Sequence, residues 1–309
     1  MDWNQLWEIA FKPDNIPILA LIVLVPVYTW YGLRQAVAND RLIDRLEADP
    51  QLAATHHRTT NPYRSGWPKL VHVWPHLLKI ELLVSIIVMV ILIVWSIVLD
   101  APLEEPANPN FTMNPAKAPW YFLGLQEMLV YFDPWLAGVA FPVLIIIGLV
   151  IIPYCDTNPL GNGYYTYRQR KFALWTFSFG FLVLWVLLII VGVFIRGPGW
   201  MWFWPGQTWD HHRQIHEINR DLHEVVGITA QPMVGLFGAV VVGAYTAASA
   251  FIFHKLFMKH KLREYVNMNF IQYALMHFFM IAMLALPLKM VLRLVFRIKY
   301  VWVTPWFNI

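Results

Sequence analysis

Six stretches of this chain run for 17 to 24 residues without a single Asp, Glu, Lys or Arg: Ile16–Gly32, Leu82–Leu99, Trp135–Pro153, Phe172–Ile195, Pro232–Phe253 and Met268–Leu288. Crossing a hydrocarbon core takes about 20 such residues, and a helix is what satisfies every backbone polar group on the way. The runs are continuous rather than alternating, which excludes a transmembrane β-barrel. With 58% hydrophobic and only 14% charged residues, the chain could not keep an aqueous surface of the ordinary composition, about one quarter charged. The expectation is an all-α, polytopic transmembrane protein of about six spans. The first run reads as a retained helix rather than a signal peptide, because Asp2, Glu8 and Asp14 precede it and Tyr28, Trp30 and Tyr31 stand where a small-residue cleavage site would lie.

Charge placement orients the spans. Arg34, Arg41, Arg45, Arg58, Arg64, Lys69 and Lys79 follow the first; Arg168, Arg170 and Lys171 follow the third; Lys255, Lys259, Lys261 and Arg263 follow the fifth. These connections belong on the cytoplasmic side. The connection between spans two and three has Lys117 alone against Asp100, Glu104, Glu105, Glu127 and Asp133, and so faces the opposite, positive side. The tail disagrees, since six spans put it on the positive side although it carries Lys289, Arg293, Arg297 and Lys299 and no acid. Either span six is re-entrant or interfacial, or these cations meet a partner subunit.

The connection between spans two and three, DAPLEEPANPNFTMNPAKAPWYFLGLQEMLVYFDP, is long and apolar. Pro102, Pro106, Pro109, Pro115 and Pro119 forbid a long helix before Trp120. From Trp120 to Phe132 the pattern fits a short amphipathic helix at the membrane surface. Trp120, Tyr121, Phe122, Tyr131 and Phe132 beside Glu127 would make an apolar slot next to a proton acceptor. An interfacial aromatic anchor, with Glu127 facing water, accounts for the same composition.

Motif order separates these readings. Between Trp74 and Pro198 come, in sequence, a helix ending SIVLD, the P-A-N-P step Pro106–Pro109, NPAKAPWYFLGLQE, a helix ending IIPYCD, a link containing YRQRK, and a long helix ending RGPG. This run resembles the C-terminal half of cytochrome b, and most closely the separate subunit IV of cytochrome bf-type quinol oxidoreductases. The resemblance implies a chain that helps build the quinol oxidation site on the positive side of a coupling membrane, with electrons passing to a Rieske iron–sulfur protein and to b haems. It further implies a c-type cytochrome as acceptor, a dimeric multi-subunit complex, and a role in a respiratory or photosynthetic chain coupled to proton translocation. Pro119, Trp120, Tyr121 and Phe122 would contact quinol or quinone.

One departure falls inside the key motif. Where the family has an acid between the proline and Trp-Tyr, this chain reads Ala118-Pro119-Trp120-Tyr121. Quinol oxidation releases protons that need an acceptor. Glu127 is the nearest candidate, with Tyr121 beside it. Eight residues past Pro119, on a helix about 12 Å along and 80° around, it cannot occupy the missing carboxylate's place. In the family a basic–acidic pair at the start of the helix matching span two contacts quinone at the reduction site. WPHLLKIELL supplies His76, Lys79 and Glu81 there, though an ionisable group at a helix end can equally snorkel to the interface.

The redox metals are expected elsewhere. The single cysteine, Cys155, and the lack of a C-x-x-C-H leave no iron–sulfur site and no covalent haem attachment in the sequence. In the family the b-haem ligands belong to the N-terminal half of cytochrome b, so a partner subunit of that type would hold both haems. His254 at the edge of span five and His277 inside span six look mismatched in depth, and a packed His277 is the simpler reading. In WMWFWPGQTWDHHRQIHEINRDLHEVVG, Trp200, Trp202, Trp204 and Trp209 form an interfacial belt. His212, His216 and His223 share one face if the segment is helical, for a metal, a docked haem or a neighbouring subunit.

The sequence therefore divides into an added helix and linker (1–78), a cytochrome b C-terminal-like module (79–198), and a positive-side linker with two added helices (199–309). The expected setting is a bacterial energy-coupling inner membrane, without a nucleic-acid partner. A structural anchor of a redox complex is the alternative function. A transporter is disfavoured, because the spans lack Asp, Glu, Lys and Arg and paired Gly/Pro breaks.

Overall fold

A computed structural model of the chain describes residues 3–56, 73–100, 103, 106–110, 112–158, 164–210, 218–259, 265 and 267–309. Arg58, Arg64, Lys69, Glu104, Glu105, His212, His216, Lys261 and Arg263 lie outside the described residues. Regular structure among the described residues is helical, with three isolated bridges besides. The helices are α1 (Trp3–Ala10), α2 (Ile16–Ala48), α3 (Pro50–Thr55), α4 (Leu78–Val98), α5 (Leu123–Met128), α6 (Leu136–Cys155), α7 (Lys171–Ile195), α8 (Leu222–Val226), α9 (Gln231–Lys259) and α10 (Phe270–Leu294). α2, α4, α6, α7, α9 and α10 are each long and apolar enough to cross a membrane.

The chain forms two compact units. One comprises residues 11–107 and 164–168. Here α2 continues well beyond its apolar run, because Ala36, Asp40 and Ile43 bury one face of the polar extension. The Arg168 guanidinium donates to Asp44 at 2.6 Å, its backbone N–H to Asp40 Oδ2 at 3.1 Å, and Asn39 Nδ2 to the Tyr165 carbonyl at 2.9 Å. α2 stops at Asp49, whose carboxylate accepts from the backbone N–H groups of Gln51 and Leu52 and so caps α3, which Pro50 opens. α4 belongs to the same unit, and every one of its residues is exposed.

The other unit comprises residues 1–10, 108–163 and 169–309. α10 runs antiparallel to α6 along its whole length. Gln272 Nε2 donates to the Tyr154 carbonyl at 2.7 Å near one end, Phe279 lies over Gly148 in the middle, and the Lys289 ammonium sits 5.8 Å from the Phe132 ring near the other. Span six therefore lies alongside span three and, like it, is long and apolar enough to cross a membrane. The capping box of Asn269 and Gln272 starts α10, with reciprocal bonds of 2.9 Å. Tyr245 of α9 donates to the Ile281 carbonyl of α10 at 2.8 Å.

The connections before α6 and after α7 meet the C-terminal tail at one end of this unit. Arg220 donates its N–H to the Arg297 carbonyl at 3.2 Å, Lys299 to the Arg220 carbonyl at 2.9 Å, and Asn308 Nδ2 to Asp133 at 3.5 Å. α1 joins them, with Gln5 accepting from Trp209 N–H at 3.1 Å. This is the grouping that alternating spans require. Trp302 packs where Gly238 of α9 has no side chain.

The core of this end is Met128, Tyr131, Phe132, Ala137, Leu188 and Leu286. α5 reaches it by a close approach to α7: a Cβ on Gly192 would stand 2.8 Å from Leu123 Cγ. Gly192→Val is therefore expected to push α5 off α7 at a cost of about 1–3 kcal/mol. The check is the thermal unfolding midpoint of the purified protein, which should drop by several degrees. Gly138→Ala, where a Cβ meets nothing within 4 Å, should leave it unchanged.

Candidate functional site

The loop before α5 is held from both sides. Gln126 acts as a clamp, donating to the Ala116 carbonyl at 2.8 Å and accepting from Ala118 N–H at 2.7 Å. Lys117 Nζ donates to the Val193 carbonyl at 2.6 Å, which satisfies a carbonyl near the end of α7. The Asn114 side chain accepts from Gly199 N–H. Pro119 opens a single 3₁₀ turn, Trp120–Phe122, and α5 follows directly. The regular helix thus ends at Met128, earlier than the Trp120–Phe132 pattern suggested.

These turns sort the aromatic residues into two sets. Tyr121 and Phe122 are about half exposed, their rings 4.8 Å apart, and Tyr121 meets Trp120 edge-on at 5.7 Å. Tyr131 and Phe132 point inward and are buried. The five aromatics therefore do not line a common slot. The outward trio is an apolar ledge, and the inward pair belongs to the core.

Glu127 lies on the inward side with no exposed surface, so the water-facing reading does not hold. Its carboxylate meets Arg196, itself 2% exposed, in a forked pair: Nη2 donates to Oε1 at 2.8 Å and Nε lies 3.1 Å from both oxygens. Tyr131 hydroxyl donates to Oε1 at 2.7 Å, and the Trp200 indole N–H to Oε2 at 3.1 Å. Arg196 also donates from Nη1 to the Trp200 carbonyl at 3.1 Å and rests 5.4 Å from the Trp202 ring. A buried charge pair is tolerable when both partners find such donors and acceptors.

The environment shifts the neighbours in a consistent way. Burial pushes the Tyr131 phenol well above its usual range, and the Glu127 charge adds to this. It stays protonated and donating. Burial works against the Arg196 charge, but the bond and attraction to Glu127 outweigh it, so the guanidinium is held more firmly than usual in its charged form.

Local backbone strain serves this arrangement. Gly199 and Trp200 are consecutive left-handed residues at φ 65° and 58°, a conformation that favours glycine and costs a tryptophan about 1–3 kcal/mol. The turn brings both the Trp200 carbonyl and its indole back onto the Arg196–Glu127 pair. Trp200 thus leaves the interfacial belt, whereas Trp204 stays exposed.

Arg196, Trp200 and Gln126 escaped the sequence reading as site residues, and Tyr131, expected as slot lining, is instead a donor to the Glu127 carboxylate. Two signals pointed to them: Arg196 is the first charge after a charge-free span, and Tyr131 follows Glu127 by one helical turn. Lys79 and Glu81 lie in the other unit, exposed at the start of α4, with Ser85 donating to the Glu81 carbonyl at 2.8 Å. His76 is exposed just before them.

The histidines also differ from the sequence picture. α9 runs to Lys259, so His254 stands five residues from its end while His277 stands seven from the start of α10, about 7 and 10 Å deep. The depth mismatch therefore disappears. Both rings pack on the same tyrosines: His254 lies 5.9 Å from Tyr265 and 6.2 Å from Tyr273, and His277 lies 5.8 and 4.0 Å from them. Tyr265 and Tyr273 hydroxyls meet His254 Nδ1 at 2.8 and 3.2 Å. His277 Nδ1 donates to the Tyr273 carbonyl at 3.0 Å, which confirms a packed, hydrogen-bonded residue. Burial raises the Tyr265 phenol above its usual range, with Tyr273 adding to the shift. His223, with Asp221 and Glu224, offers one ligand atom each within 4.8 Å. The two acids are already used: Glu224 accepts from Asp221 N–H at 3.0 Å, and Asp221 from Tyr300 N–H at 3.2 Å.

Comparison with known proteins gives one match. Residues 106–194 fit the family described as cytochrome b(C-terminal)/b6/petD. No curated protein and no solved structure matches the chain. The matched segment contains the Gln126 clamp, the aromatic ledge and Glu127, and stops two residues before Arg196. Residues 106–194, less than a third of the chain, are therefore similar to the cytochrome b C-terminal family, as a subunit IV-like segment within a longer chain that has six helices able to cross a membrane.

Proposed function

We propose that this protein is the membrane subunit of a bc- or bf-type quinol oxidoreductase that helps form its positive-side quinol oxidation site. The observation that carries the reading is the buried carboxylate of Glu127, held on the family's loop directly behind the Pro119–Phe122 ledge. In this reading Pro119, Trp120, Tyr121 and Phe122 receive the quinol ring, and the forked bond from Arg196 orients the Glu127 carboxylate as the acceptor of a proton that a quinol hydroxyl releases.

Oxidation of the quinol yields quinone, two protons and two electrons. The electrons leave for metal centres of partner subunits: a Rieske iron–sulfur protein, and b haems on a cytochrome b N-terminal-type subunit, with a c-type cytochrome beyond. One proton passes to Glu127, which must loosen one contact with Arg196 to take it, and the other leaves to solvent past the half-exposed Tyr121 and Phe122. Tyr131, bonded to Oε1, is the adjacent group through which that proton can be handed on. Lys79 and Glu81 are proposed to contact quinone at the reduction site on the cytoplasmic side. The setting is a bacterial energy-coupling inner membrane.

A structural anchor without catalysis is the second reading. It is favoured by the missing motif acid and by the full set of donors already on Glu127. Glu127→Gln separates the two. In the catalytic reading the variant, assembled with its full haem content, should oxidise quinol at least one hundredfold more slowly and lose the pH dependence of the native complex. Unchanged rates across pH would establish the anchor.

At the other site, Glu81→Ala is expected to weaken binding of a cytoplasmic-side quinone-site inhibitor about tenfold, measured by titration of the purified complex. Undiminished binding would leave Glu81 as an interfacial residue only.

A further inference from the structure

The Gln126 side chain bonds two main-chain groups of the loop ahead of its own helix. Its Nε2 donates to the Ala116 carbonyl at 2.8 Å, and its Oε1 accepts from the Ala118 N–H at 2.7 Å. Few side chains can do both. A primary amide carries a donor and an acceptor on one planar group, as a neighbouring strand would. The loop needs such a partner, because Pro115 and Pro119 bracket it and have no N–H to contribute to a ladder of its own.

The bond to Ala118 closes a ring of chain whose ends are eight residues apart and which contains the whole Pro119–Phe122 ledge. Within that ring the ledge is a single 3₁₀ turn, closed by Phe122 N–H on the Pro119 carbonyl at 2.9 Å. A lone 3₁₀ turn is weakly held by its own bonds. Its trailing end is fixed by α5, which is seated on α7 with Leu123 against Gly192 and Gly124 against Ile189 and Leu188. Its leading end is fixed to α5 by Gln126. Lys117 ties the same loop to a different element, the Val193 carbonyl of α7, at 2.6 Å. Gln126 also stands next to Glu127 in the chain, and consecutive helical residues point about 100° apart. One side chain therefore holds the ledge loop while its neighbour meets Arg196.

We infer that Gln126 is the positioning residue of the quinol-binding ledge: by closing this ring it keeps Pro119–Phe122 in the arrangement that presents a quinol ring to Glu127. The inference rests on the proposed quinol-oxidising role. Gln126 acts through the ledge and not on the reacting atoms. Without its two bonds the loop occupies the binding arrangement for only a fraction of the time, and the apparent affinity falls by that fraction. Losing two ordinary hydrogen bonds corresponds to a drop of about tenfold in such a population. A quinol that does bind still meets Glu127 with Arg196, Tyr131 and Trp200 around it, so turnover at saturation is kept.

The test uses the intact purified complex with its full haem content. Gln126→Met keeps close to the length of the side chain and removes both bonds. It should raise the quinol KM about tenfold while kcat stays within about twofold of native. Tyr121→Ala removes a ring of the ledge and should raise KM as well. The double variant should show less than the product of the two effects, since a dismantled ledge leaves little to position. Gln207→Met removes a comparable bond elsewhere in the same unit, to the Trp204 N–H at 2.8 Å, and should leave both constants native. A native KM in Gln126→Met beside a slow Glu127→Gln overturns the inference and leaves the proposed function standing. Native kinetics in both of these variants sink the proposed function itself. A KM raised equally by Gln207→Met, or effects that multiply fully with Tyr121→Ala, would mark a general loosening and also overturn the inference. Should Gln126→Met fail to assemble, Gln126→Glu takes its place under the same criteria. It keeps the acceptor for Ala118 N–H, loses the donor to the Ala116 carbonyl, and should raise KM about threefold.

Discussion

The forked bond between Arg196 and Glu127 is the interaction on which the functional end of this protein depends. It joins a loop that cannot fold as a long helix to the last residue before a sharp turn, and both side chains are buried where it does so. Removing one partner of such a pair typically costs about 3–5 kcal/mol, because the other charge is left buried. Around it, each further contact completes the pair rather than adding a new one: Tyr131 and Trp200 fill the remaining carboxylate positions, and the Trp200 carbonyl takes the outer guanidinium hydrogens. The left-handed Trp200 is explicable only in this context. Its strain is offset by the two bonds that the turn creates.

The scaffold that holds this pair is simple. α6 and α10 lie antiparallel, α7 admits α5 by means of Gly192, and α9 receives Trp302 at Gly238. Small residues at these contacts let backbones and rings approach where lipid supplies no hydrophobic force between helices. The family-matched segment contributes α5, α6 and most of α7, whereas α9, α10 and the tail lie outside it. The added helices nonetheless complete the core around Phe132 through Leu286 and cover it through Lys289. They are part of one packed unit and not an appended anchor.

Much of this was legible in the residues. Absence of charge over long runs marks spans because an unpaired charge in hydrocarbon is prohibitive, and a sequence records that directly. The interruption of regular helix before the APWYF loop was also legible, since closely spaced prolines exclude a long helix there. The partner of Glu127 was harder to see. Arg196 is distant in sequence, and its position at the end of a span reads equally well as an interfacial cation. The orientation of Tyr131 against Tyr121 depended on where a 3₁₀ turn gives way to α-helix, which composition does not encode. The depth of His254 was misjudged because hydrophobicity ends before the helix does. α9 continues into its polar residues, as α2 does.

The exposure of α4 on every face gives the chain an asymmetry of its own. Residues of the α6–α10 unit restrain one another, so a substitution there is felt through neighbours. Along α4 no side chain is enclosed by the rest of the protein. Its internal ladder of backbone bonds is sufficient to keep it helical in hydrocarbon. Among the described residues of its own unit, nothing encloses its side chains. Any narrow tolerance to substitution found along its length would be a footprint left by another molecule.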